Sequence, residues 1–337
     1  MPDKPYNPSR MKGVTNLKQC TIRSERITDY QSISDVNAAA FTYSYGMGEV
    51  TLINVFRSRR AFDPDLSLVA ELDNRIIGHV LFTPQQVFVG DKLLDAVILA
   101  PIAVYPEFQN KGIGTVLIEE GHKRAKEKGF HFSLLLGHPG YYPRFGYLSK
   151  MWSNSNVLLP VNEIPLSSKF VKERRIHVTD LESLNGMWEI WNQGIDMAFK
   201  PESSITSWIS PGKGIQASAI EVDGNFSGYL RYGKDNPGRI LNILARDSES
   251  LMEICAYIKS KLVLDNTESK FLFLPISPES CERNQVTLDY QTEVNSGPEK
   301  MLKILNDNSS ITDYCEEVIS GKRAPGNIIW PVEFDVC

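Results

Sequence analysis

The 337-residue sequence lacks several things, and each shortage closes off a class of function. No apolar run approaches the ~18 residues that a bilayer-spanning helix needs. The opening stretch, "MPDKPYNPSRMKG", is polar and proline-rich rather than a charged end followed by an apolar core, so residues 1–17 are expected to form a flexible tail on a cytoplasmic protein. Positive charge is in deficit, with 36 Lys and Arg against 41 Asp and Glu for a net charge of −5. That leaves no broad basic footprint, so neither nucleic acid nor an anionic membrane is expected as a partner. The five cysteines (Cys20, Cys255, Cys281, Cys315, Cys337) form no C-x-x-C pair and read as reduced structural thiols. The five histidines show no H-E-x-x-H and no Cys/His cluster, and no metal is expected.

What is present is ordinary globular material. Apolar residues make up 42% and charged residues 23%, enough for a sizeable core, and the length suits two domains. "QCTIRSERI" alternates as a strand does, and helical spacing follows around 32–42 and 48–60. "LSLVAELDNRIIGHVLFTPQQVFVGDKLLDAVILAPIAV" then reads as three strands of an antiparallel meander, with turns at "LDNR" and "VGDK". Beyond a glycine-containing loop, Ile113, Val116, Leu117, Gly121 and Ala125 share one face of a helix that Gly129 ends. "FHFSLLLG" is a further strand, followed by the aromatic segment "HPGYYPRFGYLSK".

Residues 160–172, with two prolines and little periodicity, are expected to separate a domain at 18–160 from another at 170–337. The order of elements then repeats. "QASAIEVDGNFSGYLRY" matches the first hairpin in pattern, and "RILNILARDSESLMEICAYIKSKL" is a strand running into an amphipathic helix. The connection "ARDSES" has no glycine, so the second copy is not expected to hold what the first one holds. A helical pattern near "EKMLKIL" and a last strand in "NIIWPVEFDV" complete the expectations.

The loop Gln109-x-x-Gly112-x-Gly114 joins a strand to an amphipathic helix. Such a junction offers free backbone N–H groups and the positive end of a helix dipole to an anion, usually phosphate. It is not G-x-x-x-x-G-K-[ST], and a meander is not the parallel βαβ unit of a dinucleotide fold.

With "SLVAE", "GHVLF", "PIAVYPEFQNKGIG" and "YYPRFGY" in this order, the sequence resembles the GNAT superfamily of acetyl-CoA-dependent N-acetyltransferases, over roughly residues 18–150. Over 170–337 the likeness rests on element order. The resemblance implies a mixed α/β (α+β) fold: a mostly antiparallel central sheet flanked by helices, in tandem with a second, degenerate GNAT-like domain. It implies that Gln109, Asn110, Lys111, Gly112, Ile113, Gly114 and Thr115 bind the pyrophosphate of coenzyme A, while the backbone of Ile102, Ala103 and Val104 meets the pantetheine arm. It implies that the Val104 amide stabilises the oxyanion and that Tyr142 protonates the leaving thiolate, Tyr141 being the competing candidate. Some members carry a base on the strand, at the position that is Ile98 here; Asp95, His138 and a water relay are the alternatives. Acceptor recognition falls to "YSYGMGEVTLINVFRSRR", where Glu49 could attract a cationic amine and Arg57 an anionic group. The implied activity is direct transfer of acetyl from acetyl-CoA to a primary amine of a small molecule or protein, without a metal. The alternative is a non-catalytic acyl-CoA-binding sensor. The duplicated halves are compatible with a monomer.

Overall fold

A computed structural model describes residues 20–336 apart from 43, 45, 46, 168, 193–196, 265–268, 288 and 329. The tail expected at 1–17 lies outside the described residues, as does Cys337; Cys20, Cys255, Cys281 and Cys315 are free thiols. No helix among the described residues is long and apolar enough to cross a membrane. They contain no group of three or more His, Cys, Asp or Glu that could hold a metal ion.

The chain divides into two compact units. The first comprises the described residues up to Pro84 together with Val97–Gly129. Its elements are β1 (Thr21–Ser24), α1 (Tyr30–Phe41), α2 (Gly48–Arg57), β2 (Ser67–Leu72), β3 (Arg75–Val89), β4 (Lys92–Val104) and α3 (Ile113–Glu127). The strands lie in the order β1-β2-β3-β4, with β1 and β2 antiparallel and β2 and β3 antiparallel, so the expected meander is present. β3 is buried from Ile76 through Thr83 without a break, as a strand covered on both faces must be. On one face Ile33 and Val36 of α1, Ile53 of α2, Val69, Ile76 and Ala103 form a single apolar cluster. On the other lies α3, seated closely because two glycines remove side chains at the contact. A Cβ on Gly121 would come within 2.0 Å of the Phe82 ring, and one on Gly78 within 3.1 Å of Leu117. Of the α3 face expected from spacing, Val116 turns outward with 48% of its surface exposed, while Ile118 and His122 are buried instead.

The second unit comprises Gln85–Ala96, the outer part of the β3–β4 hairpin, and Phe130–Val336. It contains β5 (Phe132–Leu136), β6 (Leu148–Ser149), β7 (Asn154–Pro160), β8 (Val171–Arg174), α4 (Leu181–Asn192), β9 (Ala198–Phe199), β10 (Ile215–Val222), β11 (Asn225–Gly233), β12 (Asn236–Ala245), α5 (Ser248–Leu264), β13 (Phe271–Leu274), α6 (Pro278–Arg283), β14 (Gln291–Asn295), β15 (Lys300–Ile304) and α7 (Ser309–Ile319). Seven strands form one sheet in the order β14-β7-β13-β12-β11-β10-β8, over a core that includes Trp208, Tyr229, Leu251, Ile254 and Leu272. β7 precedes residue 160 in the chain yet pairs with β13 and β14, both from beyond 270. Conversely, β15 lies antiparallel between β5 and β6. Strands from either side of 160–170 are thus interleaved.

Two C-terminal expectations are corrected. "EKMLKIL" is strand β15, not a helix. Its apolar residues fit either period over so short a run, and pairing with β5 decides for the strand, burying Met301 and Leu302. In place of the last strand, Val332–Val336 is a 3-10 helix that follows Pro331, which has no N–H to offer a ladder.

The repetition seen in the element order extends to bond geometry. In the first unit Arg23 donates Nε to Glu71 at 2.6 Å and its two terminal nitrogens to Asp29 at 2.6 and 3.0 Å. In the second unit Arg174 donates Nε to Glu221 at 2.6 Å and its terminal nitrogens to Asp180 at 2.7 and 2.9 Å. Each glutamate sits at a register shift, between Ala70 and Glu71 and between Ile220 and Glu221. Each is followed by a turn of two left-handed residues, Asp73 and Asn74 (φ 50° and 60°) or Asp223 and Gly224 (φ 49° and 80°). Gly228 lies under Ile254 of α5 as Gly78 lies under Leu117 of α3.

Candidate cofactor loop and acetyl-transfer residues

β4 ends at Val104, and the Tyr105 amide donates to Ile77 O at 3.0 Å, holding the chain to β3 as it leaves the sheet. A 3-10 turn, Pro106–Phe108, follows. The loop's polar side chains fold back on its own carbonyls: Gln109 Nε2 donates to Val104 O at 3.0 Å and Lys111 Nζ to Glu107 O at 2.7 Å. Asn110 (φ 60°) and Gly112 (φ 84°) are both left-handed. That alternation of backbone hand curls a chain so that successive N–H groups converge. No side chain caps the helix at Gly112, and the first helical bond runs from the Val116 amide to Gly112 O at 3.1 Å. The amides of Ile113, Gly114 and Thr115 precede that bond, and helix geometry leaves such groups without a carbonyl within the helix. A Cβ on Gly112 would find nothing within 4 Å. Uncapped donors, the positive end of a 15-residue helix and open space together suit a pyrophosphate. Ile113 is buried as the anchor, Ala103 is buried on β4, and Ile102, Val104, Gly114 and Thr115 are half-buried at the surface of the site.

The corresponding junction in the second unit is closed. β12 ends at Ala245 and α5 begins at Ser248, with the Asp247 carboxylate accepting from the Ser250 amide at 2.7 Å. Arg246 Nε lies 3.2 Å from the same carboxylate. The chain's own anion occupies the helix start that α3 leaves open.

In the first unit Arg57 and Glu49 lie on the same helix with opposite environments. Arg57 forms a two-point ion pair with Glu25 at 3.0 and 2.7 Å, and its guanidinium lies 3.9 Å from the centre of the Tyr30 ring. Its donors serve the fold. Glu25 also accepts from Ser67 Oγ at 2.6 Å, and Ser67 Oγ lies 3.0 Å from His79 Nε2, whose Nδ1 faces Asn37 Nδ2 at 3.2 Å. Because Ser67 donates to Glu25, it accepts from an Nε2–H, and Nδ1 accepts from Asn37: this is neutral imidazole. Burial and the Arg57 charge lower the His79 pKa to about 3. Glu49, in the first turn of α2, retains only 8% of its surface. Its Oε2 is enclosed and accepts no hydrogen bond from any described residue. Loss of solvation raises its pKa to about 7.

The aromatic segment belongs to the second unit. Tyr142–Phe145 is a 3-10 turn closed by Gly146 at φ 84°. The Tyr142 ring rests on the backbone of Gly137, where a Cβ would lie 2.3 Å from it. The ring meets Tyr141 and Tyr147 edge-on at 5.0 and 5.9 Å. Tyr147 is locked by a 2.7 Å hydrogen bond with Ser133, whereas Tyr141 lies under the Arg144 guanidinium at 3.9 Å. β15 supports the segment from behind: the Gly137 amide donates to Glu299 O at 3.0 Å and Lys303 Nζ donates to Phe145 O. No local sequence signal announces that support, because β15 lies some 160 residues downstream. His138 is exposed just after β5, its carbonyl accepting from the Tyr141 amide at 3.0 Å. Asp95 is exposed near the start of β4, whereas Val104 is the last residue of that strand; its carboxylate accepts from Gln86 Nε2 at 3.4 Å. Ile98 is buried, so the middle of β4 carries no carboxylate there.

Known proteins resemble this chain in sequence and in fold. Residues 21–149 match the family model described as an acetyltransferase (GNAT) domain. The uncharacterized N-acetyltransferase YjhQ of Escherichia coli strain K12 is 36% identical over 121 residues, which make up 36% of this chain and 65% of that protein. The chain thus spans just under two thirds of that curated relative. A GNAT family acetyltransferase from Brucella melitensis, solved in complex with acetyl-CoA, is 36% identical over 39% of this chain and 83% of its own, with a TM-score of 0.35. A GCN5-related N-acetyltransferase from Anabaena variabilis is 14% identical, covering 85% of this chain and 73% of its own with a TM-score of 0.62, and so shares the fold across both halves. The chain belongs to the GNAT superfamily of acetyltransferases.

Proposed function

We propose that this protein transfers the acetyl group of acetyl-CoA to a primary amine by direct attack within a ternary complex. The observation that carries the reading is the uncapped, glycine-opened start of α3, where residues 109–115 offer backbone donors and open space to a pyrophosphate. The structure of the Brucella melitensis relative with acetyl-CoA supports the same co-substrate. In this reading Ile102 to Val104 meet the pantetheine arm and the Val104 amide steadies the oxyanion. Tyr142, with a phenol that is protonated at neutral pH, gives its proton to the departing thiolate. In this reading the degenerate repeat assigned to residues 170–337, with β7 and β15 interleaved across its start, has no cofactor site of its own, its helix start being occupied by Asp247.

A second reading, a non-catalytic acyl-CoA sensor, draws on the apolar Ile98 in the middle of β4. Release of free thiol from acetyl-CoA separates the two. Under the enzymatic reading release depends on an added primary amine, and Tyr142→Phe lowers turnover at least tenfold with little change in acetyl-CoA affinity. Binding without amine-dependent release would favour the sensor, and unchanged turnover in the variant would remove Tyr142.

A further inference from the structure

An enclosed carboxylate oxygen that no described residue hydrogen-bonds is a costly feature, and Glu49 of α2 carries one next to the apolar cluster that ends at the cofactor strand. Glu49 lies one helical turn before Ile53, and residues four apart share a helix face. Ile53 packs in the cluster that contains Ala103, the neighbour of Val104, together with Tyr105. The same helix buries Val50, Leu52 and Phe56, so Glu49 is one of a run of buried residues and the only carboxylate of α2. Charged groups on the elements around α2 are engaged elsewhere. Arg57 and Glu25 hold each other, Asp35 on α1 accepts from Gln31, and Arg59 lies over the Phe56 ring; His79 on β3 is neutral. Desolvation is the sole cause that moves the Glu49 pKa.

We infer that Glu49 is the general base of the reaction, taking the proton that the acceptor ammonium must lose before its nitrogen can attack. The inference rests on the acetyl-transfer reading above. It supplies from α2 what β4 lacks at Ile98. The step balances as follows in protons and electrons. The ammonium gives one proton to the Glu49 carboxylate, and the freed nitrogen lone pair forms the C–N bond with the thioester carbonyl carbon. As the C–S bond breaks, its electron pair leaves with sulfur. Tyr142 delivers its proton to the thiolate, the second nitrogen proton passes through water to the Tyr142 phenolate, and the Glu49 carboxyl releases its proton to solvent, which resets the site. A base that titrates about 7 is poised for that role near neutral pH. The Glu49 charge also selects the acceptor: a primary amine on an uncharged or cationic scaffold fits, whereas an acceptor carrying a carboxylate beside its amine would meet that charge.

The test uses the full chain, acetyl-CoA and a panel of primary amines comprising spermidine, tyramine, kanamycin and Nα-acetyl-lysine amide, read by thiol release. Glu49→Gln is close to isosteric and should fold. It is expected to lower kcat/KM about 100-fold with the amine that works best while leaving acetyl-CoA affinity unchanged. The wild-type kcat/KM should rise with pH through about 7 as the carboxylate forms, and that limb should vanish in the variant. Wild-type rate and pH profile in Glu49→Gln would overturn the base and leave acetyl transfer standing. No release with any amine by the wild-type protein would overturn acetyl transfer itself, and the base with it.

Discussion

At the scale of single residues, the first unit buries His79 and Glu49, whose charged forms are both disfavoured, with different consequences. His79 is neutral, and its hydrogen-bond chain through Ser67 to Glu25 is complete. The Glu49 Oε2 accepts a hydrogen bond from no described residue. Its folded pKa of about 7 lies above the ordinary value of 4.5, so its contribution is neutral well below pH 4.5, where both states hold the proton, grows destabilising between pH 4.5 and 7, where only the unfolded chain gives the proton up, and is constant above 7. The full penalty above pH 7 is about 3 kcal/mol, taking ~1.4 kcal/mol per pKa unit. Glu49→Gln is therefore expected to raise the unfolding midpoint at pH 8 and to leave it unchanged near pH 3.5, as a thermal scan at about these two values would show. A function that needs an unpaired carboxyl accepts that loss of stability. Reading residue types alone could name Glu49 and Arg57 as a pair of charges on one helix. It could not tell them apart, because the difference lies in Glu25, 32 positions before Arg57, and in the burial of Glu49.

At the scale of elements, the two strand-to-helix junctions differ in whether a side chain caps the helix start. α3 starts at Gly112 with no capping side chain, and α5 starts behind Asp247, whose carboxylate bonds the Ser250 amide. Asp247→Ala should lower stability by about 1 kcal/mol, the usual worth of a lost N-cap, and should leave acetyl-CoA binding unchanged. Appearance of a second acetyl-CoA site in that variant would show the second repeat to be merely masked. The difference between the junctions was legible from glycine content, and so were α1, α2, the β2–β4 meander and α3, whose periodicities run long enough to separate 3.6 from 2. β15 was not legible: five residues with apolar positions at 301, 302 and 304 satisfy both periods, and the deciding partner, β5, lies far away in sequence. The close seat of α3, set by Gly78 and Gly121 against Leu117 and Phe82, was equally out of reach, since a glycine in a strand or helix does not announce what it approaches.

At the scale of the whole molecule, the chain is a duplicated pattern that has diverged in use. The Arg23 and Arg174 ion-pair forks, the paired register shifts and the matching left-handed turns preserve the scaffold in both copies. The second copy has no open helix start, and nothing among its described residues corresponds to α2 with Glu49. Element order made the repetition visible in the sequence, but the proline-containing stretch at 160–170 did not reveal that β7 and β15 are exchanged across it. Two matching scaffolds with a single uncapped helix start predict one co-substrate per chain rather than two. Calorimetric titration of acetyl-CoA into the wild-type protein and into Gly114→Trp tests this most directly. The expected result is a single site per chain in the wild type, abolished in a variant that still unfolds cooperatively. Binding that survives in Gly114→Trp, or none in the folded wild type, would contradict the assignment of residues 109–115 as the cofactor loop.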